Sequence, residues 1–120
     1  MKKTTLVLGA SPNENRYSNR AVIQLRANKI PVIAYGIKPG EIADVKINLT
    51  LENWNEVDTI SMYLSPKNQL SFYDFILKLN PNRAIFNPGT ENPELETLLD
   101  EAGIAHERSC TLVLLSLGAY

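Results

Sequence analysis

Two kinds of apolar spacing alternate along this chain, and their order predicts its fold. Thr4-Thr5-Leu6-Val7-Leu8 is a short apolar run that stops at Gly9, which reads as a buried strand over residues 4–8. Ala21, Val22 and Leu25 then fall on one face of a helix over residues 18–27. Val32-Ile33-Ala34-Tyr35 is apolar throughout, as strands buried on both faces are. A helix between two such strands is the crossover that a parallel pair requires.

The same alternation continues to the end. Pro39-Gly40 marks a turn, Val45-Lys46-Ile47 a short edge strand, and residues 50–55 one helical turn around Trp54. Residues 59–64 read as the third long strand, with Ser65 as N-cap and Pro66 as first residue of the helix that follows. Phe72, Phe75, Ile76 and Leu79 recur at helical spacing until Asn80-Pro81. Residues 83–87 form a strand, and Asn92-Pro93 opens a helix that carries Leu95, Leu98, Leu99 and Ala102 and stops at Gly103. A short strand over residues 104–107 precedes a buried terminal helix capped by Ser109 and running to Leu117. Strands alternating with helices give an α/β fold: one doubly wound, mostly parallel, Rossmann-like sheet with helices on both faces, in a single domain over residues 1–120.

Composition narrows the partners. Twelve Lys and Arg against thirteen Asp and Glu give a net charge of −1, without the basic excess that captures nucleic acid. Cys110 is the only cysteine, and no secretory leader pattern opens the chain, so a cytoplasmic location is expected. No apolar stretch is long enough to span a bilayer. One histidine and one cysteine do not make a dense zinc site.

In doubly wound sheets, ligands bind beyond the carboxyl ends of the strands. That rule selects Gly9-Ala10-Ser11, Tyr35-Gly36-Ile37-Lys38, Tyr63-Leu64-Ser65-Pro66 and Asn87-Pro88-Gly89-Thr90. Gly9 suits the tight turn at the strand end, while Ala10 and Ser11 are small enough for a phosphate to approach the backbone amides. Ser18 is placed to cap the next helix and aim its positive end at the same spot, with Arg16 and Arg20 beside it. An NAD site places an acid after the second strand. Here Tyr35-Gly36 stands there, and the first charge beyond it is Lys38. A cation at that point suits a phosphorylated ribose, as in coenzyme A or NADP.

The ordered set Val7-Leu8-Gly9-Ala10-Ser11, Arg16-Tyr17-Ser18-Asn19-Arg20-Ala21, Pro39-Gly40-Glu41-Ile42, Tyr63-Leu64-Ser65-Pro66 and Arg108-Ser109-Cys110 resembles the small CoA-binding proteins. Their fold is shared with the CoA-binding domain of the succinyl-CoA synthetase α subunit. The resemblance implies pyrophosphate at Gly9, Ala10, Ser11 and the following helix start, with Arg16 and Arg20 as anion partners. It also implies adenine or ribose against Tyr35, Lys38, Tyr63, Leu64 and Pro66, and pantetheine running toward Pro88, Gly89 and Thr90. The chain differs from the family pattern at Tyr35-Gly36, where Asn-Pro is usual, and at 87–92, where Gln-x-Gly is usual.

No catalytic set accompanies this site. His106 reads as a surface or strand-end histidine, Cys110 as a buried, inert thiol, and Glu91, Glu94, Glu96, Asp100 and Glu101 as a solvated helix face. The expected function is non-catalytic binding of coenzyme A or an acyl-CoA. The alternatives are a small NADP-linked oxidoreductase and an accessory subunit of an acyl-CoA synthetase-like complex. A homo-oligomer or a protein partner is compatible with either.

Overall fold

The structure is a computed structural model that describes residues 3–120. Seven strands, β1 Thr4–Leu8, β2 Val32–Tyr35, β3 Glu41–Ile42, β4 Val45–Asn48, β5 Val57–Met62, β6 Arg83–Phe86 and β7 Ala105–Arg108, form one sheet in the order β3-β4-β2-β1-β5-β6-β7. Every neighbouring pair is parallel except β3 with β4. The chain builds outward from β1 on one side, then returns to start β5 on the other. The order therefore reverses at β1 and β5, which places the crevice of an open α/β sheet beyond their carboxyl ends.

Among the described residues five α-helices accompany the sheet: α1 Tyr17–Ala27, α2 Pro66–Gln69, α3 Tyr73–Leu79, α4 Pro93–Glu101 and α5 Thr111–Ser116. Successive residues of β1 enter different core clusters, as the two-residue period of a strand requires. Leu6 and Leu8 pack with Ile76 of α3 and with Leu95 and Leu99 of α4. Val7 packs with Val22 and Leu25 of α1 and with Leu115 of α5. Among the described residues no helix is long and apolar enough to cross a membrane.

Several elements depart from the sequence expectations, each for a visible reason. Helix α1 starts at Tyr17 with Arg16 as N-cap, so Ser18 lies buried in the first turn and does not cap it. The preceding loop has already curled by then, because the Asn13 amide donates to Ser11 Oγ (3.1 Å), the Asn15 amide to Asn13 Oδ1 (2.9 Å) and the Arg16 amide to the Asn13 carbonyl (3.0 Å). Residues 50–55 form no helical turn; this segment instead sets Trp54 edge-on against Phe75 at 6.1 Å. The third long strand ends at Met62, which leaves Tyr63 and Leu64 to the loop. Strand β4 is covered by β3, which holds the edge.

The helix expected after Ser65 is broken by a 3₁₀ turn over Leu70–Phe72. Its first part is tied down by Gln69, fully buried, whose Nε2 donates to the carbonyls of Leu64 and Thr90, both at 2.8 Å. Ser65 is the N-cap residue, yet its hydroxyl makes no capping bond. Helix α5 begins after Cys110, not Ser109, and only Thr111 of it is buried, so the expectation of a buried terminal helix is corrected.

Candidate functional site

Strand register alone assembles the carboxyl edge. Leu8 lies opposite both Tyr35 and Met62, and Met62 lies opposite Phe86. The next residues, Gly9, Gly36, Tyr63 and Asn87, therefore leave the sheet at one level, and the four segments singled out in the sequence share one rim.

Contact within that rim is close. Gly9 has φ +97°, and a Cβ there would stand 3.0 Å from the Tyr63 carbonyl carbon. A Cβ on Gly36 would stand 2.1 Å from the Ala10 carbonyl oxygen. Both glycines are thus required by the protein's own backbone, because the loop after β1 is wedged between the ends of β2 and β5. The amides of Gly9 and Ala10 both donate to the Tyr35 carbonyl, at 3.0 and 2.8 Å. The expectation that these two amides point at an anion is corrected: they close the wedge.

Open donors lie slightly further on. Among the described residues, the amides of Ser11, Tyr17 and Ser18 meet no acceptor. Asn19 Nδ2 donates to the Ser11 carbonyl at 2.9 Å and holds the loop against the first turn of α1. Arg16, Arg20 and Lys38 are exposed, and no ion pair engages them among the described residues. The Arg20 guanidinium lies 5.4 Å from the centre of the Tyr17 ring.

The structure divides the aromatic set. Tyr35 stands edge-on to Phe72 at 5.6 Å and packs, with Leu64, against the core cluster of α3 and α4. Tyr63 packs against the other cluster. Among the described residues its buried hydroxyl meets no hydrogen-bond partner, and burial pushes its pKa up to about 12 against the lowering influence of the Ser61 and Thr111 hydroxyls. Pro66 is exposed at the start of α2.

A buried polar network carries the last loop. Asn87 Nδ2 donates to Ser61 Oγ (3.0 Å) and to the Met62 carbonyl (2.9 Å), and its Oδ1 accepts from the Thr111 amide (2.8 Å). Thr90 Oγ1 donates to the Asn87 carbonyl at 2.7 Å. Asn92 Nδ2 donates to Gln69 Oε1 (2.9 Å) and Tyr73 Oη (2.8 Å), while its Oδ1 caps α4 through the Leu95 amide. Pro88 and Gly89 are exposed, and the Gly89 amide donates to Glu91 Oε1 at 3.0 Å. Sequence reasoning missed Gln69, and it named Asn19 and Asn87 only within longer segments, with no role of their own. A usable signal existed at Gln69, a polar residue three and seven positions before Phe72 and Ile76 on the apolar stripe.

A separate hollow lies at the amino ends of the strands. A cleft of about 720 Å³ is lined there by Lys3, Ile30, Asp58, Asn82, Arg83 and Tyr120 among others. Its charges are paired internally. Asp58 accepts from Asn82 Nδ2 (2.7 Å) and from the Thr59 hydroxyl (2.7 Å) and lies 3.8 Å from Lys3 Nζ. Arg83 donates to Thr59 Oγ1 (3.0 Å) and Glu107 (3.4 Å) and lies 4.6 Å from the Tyr120 ring centre. Burial pushes the Asp58 carboxyl up, but hydrogen bonds from Asn82 and Thr59 and the charges of Lys3 and Arg83 outweigh it and hold the group below its ordinary value. A smaller cleft of about 380 Å³ lies beside the Arg26–Asp44 pair and Trp54.

Among the described residues no three His, Cys, Asp or Glu side chains are placed to hold a metal. His106 sits within β7, with Nε2 2.7 Å from Asp100 Oδ1 and Nδ1 3.7 Å from Glu96 Oε2. Cys110 is half-buried at the start of α5.

Comparison with known proteins bears on this rim. A family model described as a CoA binding domain matches residues 3–116. A crystal structure of an uncharacterized protein aligns with a TM-score of 0.96 at 46% identity, covering 100% of this chain and 99% of that one. A Thermus thermophilus structure, cell-free ID.343, aligns with a TM-score of 0.86 at 22% identity, over 99% and 91% of the two chains. A conserved hypothetical protein from Pyrococcus furiosus aligns with a TM-score of 0.78 at 26% identity, over 94% and 99%. No curated protein matches.

Proposed function

Because the chain belongs to the CoA binding domain family, we propose that it is a single Rossmann-like domain that binds coenzyme A or an acyl-CoA without transforming it. The two core clusters on alternate residues of β1 support helices on both faces of the sheet. One observation carries the site: the only rim where strand register gathers the predicted loops also leaves the amides of Ser11, Tyr17 and Ser18 and the side chains of Arg16 and Arg20 without protein acceptors among the described residues.

The pyrophosphate then rests where β1 gives way to α1. Gly9 and Ala10 shape the floor, Ser11 and Ser18 supply amides, and Arg16 and Arg20 supply charge. Unpaired amides at a helix start, together with the helix dipole, favour an anion there. Lys38 and Gly36 lie at the end of β2, where Lys38 meets a phosphate on the ribose. Tyr35, Leu64 and Pro66 form the apolar wall for the base; Tyr63 contributes its backbone. Pantetheine extends toward Pro88, Gly89 and Thr90. There the Glu91 carboxylate already holds the Gly89 amide, and a ligand carbonyl replaces it.

Thermal unfolding with coenzyme A, acetyl-CoA, NADP and NAD tests the reading. A ligand that binds only the folded chain adds about 2.7 kcal/mol at one hundred times its dissociation constant. A rise in Tm with coenzyme A or acetyl-CoA, and none with NAD, is expected. Stabilisation by NADP alone, or by none of the four, overturns the assignment.

A further inference from the structure

Gln69 is the longest polar side chain that is fully buried among the described residues. It falls on the apolar stripe that continues through Phe72 and Ile76, three and seven positions on, where core packing by itself asks for leucine or methionine. A carboxamide in such a place is accounted for by what it bonds. Its Nε2 donates to carbonyls of two different loops, Leu64 and Thr90, both at 2.8 Å. Its Oε1 accepts from Asn92 Nδ2 at 2.9 Å. Both donors and the acceptor oxygen are spent inside the protein.

The two carbonyls belong to neighbouring walls of the carboxyl rim. Leu64 leads into Ser65-Pro66 after β5, and Thr90 closes the turn after β6 through its own bonds to the Asn87 carbonyl. Pairing of β5 with β6 stops at Met62 and Phe86, so beyond that level the walls are not joined by the sheet. Gln69 fastens both to one nitrogen. Because a trans peptide is planar, a carbonyl held inward fixes its whole plane, and with it the way the next amide faces. The buried chain runs on from Asn87 to Thr111 of α5 and from Asn92 to Tyr73 of α3. A satisfied network of this kind makes what it joins rigid.

We propose that Gln69 is a positioning residue for a ligand that spans both walls. Fully buried, it meets no ligand atom; it holds the loop after β5 and the loop after β6 at one separation, so that the two ends of the ligand bind as a unit. The inference rests on the coenzyme reading, in which the base lies against Leu64 and Pro66 and the pantetheine arm runs toward Pro88, Gly89 and Thr90. A ligand that joins two subsites gains over its halves only while the subsites keep their spacing. Loosening the tie therefore costs the whole coenzyme and spares a half that touches one wall.

Calorimetric titration of the full chain and of Q69L with coenzyme A and with its nucleotide half, adenosine 3′-phosphate 5′-diphosphate, tests the proposal. Q69L is expected to fold, since leucine suits the stripe, with a lower Tm from the two carbonyls left unpaired. It is expected to bind coenzyme A about tenfold more weakly and the nucleotide half unchanged. Q69N, which keeps the amide on a stem one methylene shorter, is expected to show the same split at about threefold and serves if Q69L does not fold. Equal losses for both ligands, as a purely structural role would give, or no loss of coenzyme A overturns the proposal. Amide exchange without ligand supplies a second readout. The Asn68 and Thr90 amides, each bonded within its own loop, are expected to lose protection together in the variant; loss at one alone or at neither also overturns it. Binding of neither ligand by the wild type ends the coenzyme reading, and the exchange result then decides the tie between the loops by itself.

Discussion

The two ends of the sheet both carry charged side chains and use them oppositely. At the amino end, Lys3, Asp58, Arg83 and Glu107 are joined to one another and to Thr59 and Asn82 around the larger cleft. At the carboxyl end, Arg16, Arg20 and Lys38 stand exposed and unpaired beside amides that meet no acceptor among the described residues. A cleft of about 720 Å³ marks the first end, and unmet hydrogen-bonding capacity marks the second. A cleft whose polar groups are already satisfied offers a ligand only displacement of existing bonds, whereas open donors and free cations gain by binding. On the reading proposed above, the carboxyl end is therefore the binding end.

Substitutions at the two ends should separate folding from binding. The largest effect is expected for Gly36→Ala, whose Cβ would sit 2.1 Å from the Ala10 oxygen. It should cost about 3 kcal/mol or more in urea unfolding and take coenzyme binding with it. Gly9→Val should follow closely, combining a positive φ with contact on Tyr63, at about 1–3 kcal/mol for the backbone strain alone. Unchanged stability in either variant would mean the wedge between β1, β2 and β5 is loose.

Next come Arg16→Ala and Arg20→Ala. Each should weaken coenzyme A about tenfold, roughly 1.4 kcal/mol, with Tm unchanged, as read by calorimetric titration. Equal affinity in both variants would remove the anion from this rim.

Asp58→Asn probes the opposite end and should cost about 1 kcal/mol at neutral pH while leaving affinity for coenzyme A intact. The folded-state pKa of Asp58 lies below its unfolded value, so its stabilisation is present above about pH 4 and fades as the pH falls through the lower folded value. The Asn variant should accordingly show a flatter loss of Tm in acid. A drop in coenzyme affinity would erase the distinction between the two ends.

The smallest effect is expected at Lys38. Lys38→Ala should weaken coenzyme A about fivefold, just under 1 kcal/mol, and leave dephospho-CoA unchanged. Equal losses for both ligands would put the ribose phosphate elsewhere.

Much of this arrangement was legible in the chain itself. Apolar runs at strand spacing marked β1, β2 and β6, and the stripe through Leu95, Leu98 and Leu99 marked α4 with its Asn92 cap. These signals are local: period, cap and breaker lie within a few residues of one another. The rim was legible too, because a parallel sheet must present its loops on one edge.

Other features depended on groups far apart in sequence. Gly36 looked like a loop residue until Ala10, twenty-six positions earlier, was seen against it. The amides of Gly9 and Ala10 looked open until Tyr35 was placed to accept both. Ser18 looked like a cap until the Asn13 turn started the helix early, and α5 looked like a core helix until packing left Val113 and Leu117 outside. The sequence by itself determined most of the strands and helices and which loops share the carboxyl edge, since those follow from short-range spacing and the chirality of parallel crossovers. Only the tertiary structure decided which amides and charges remain unpaired, because a donor is free or spent according to partners that folding alone brings within 3 Å.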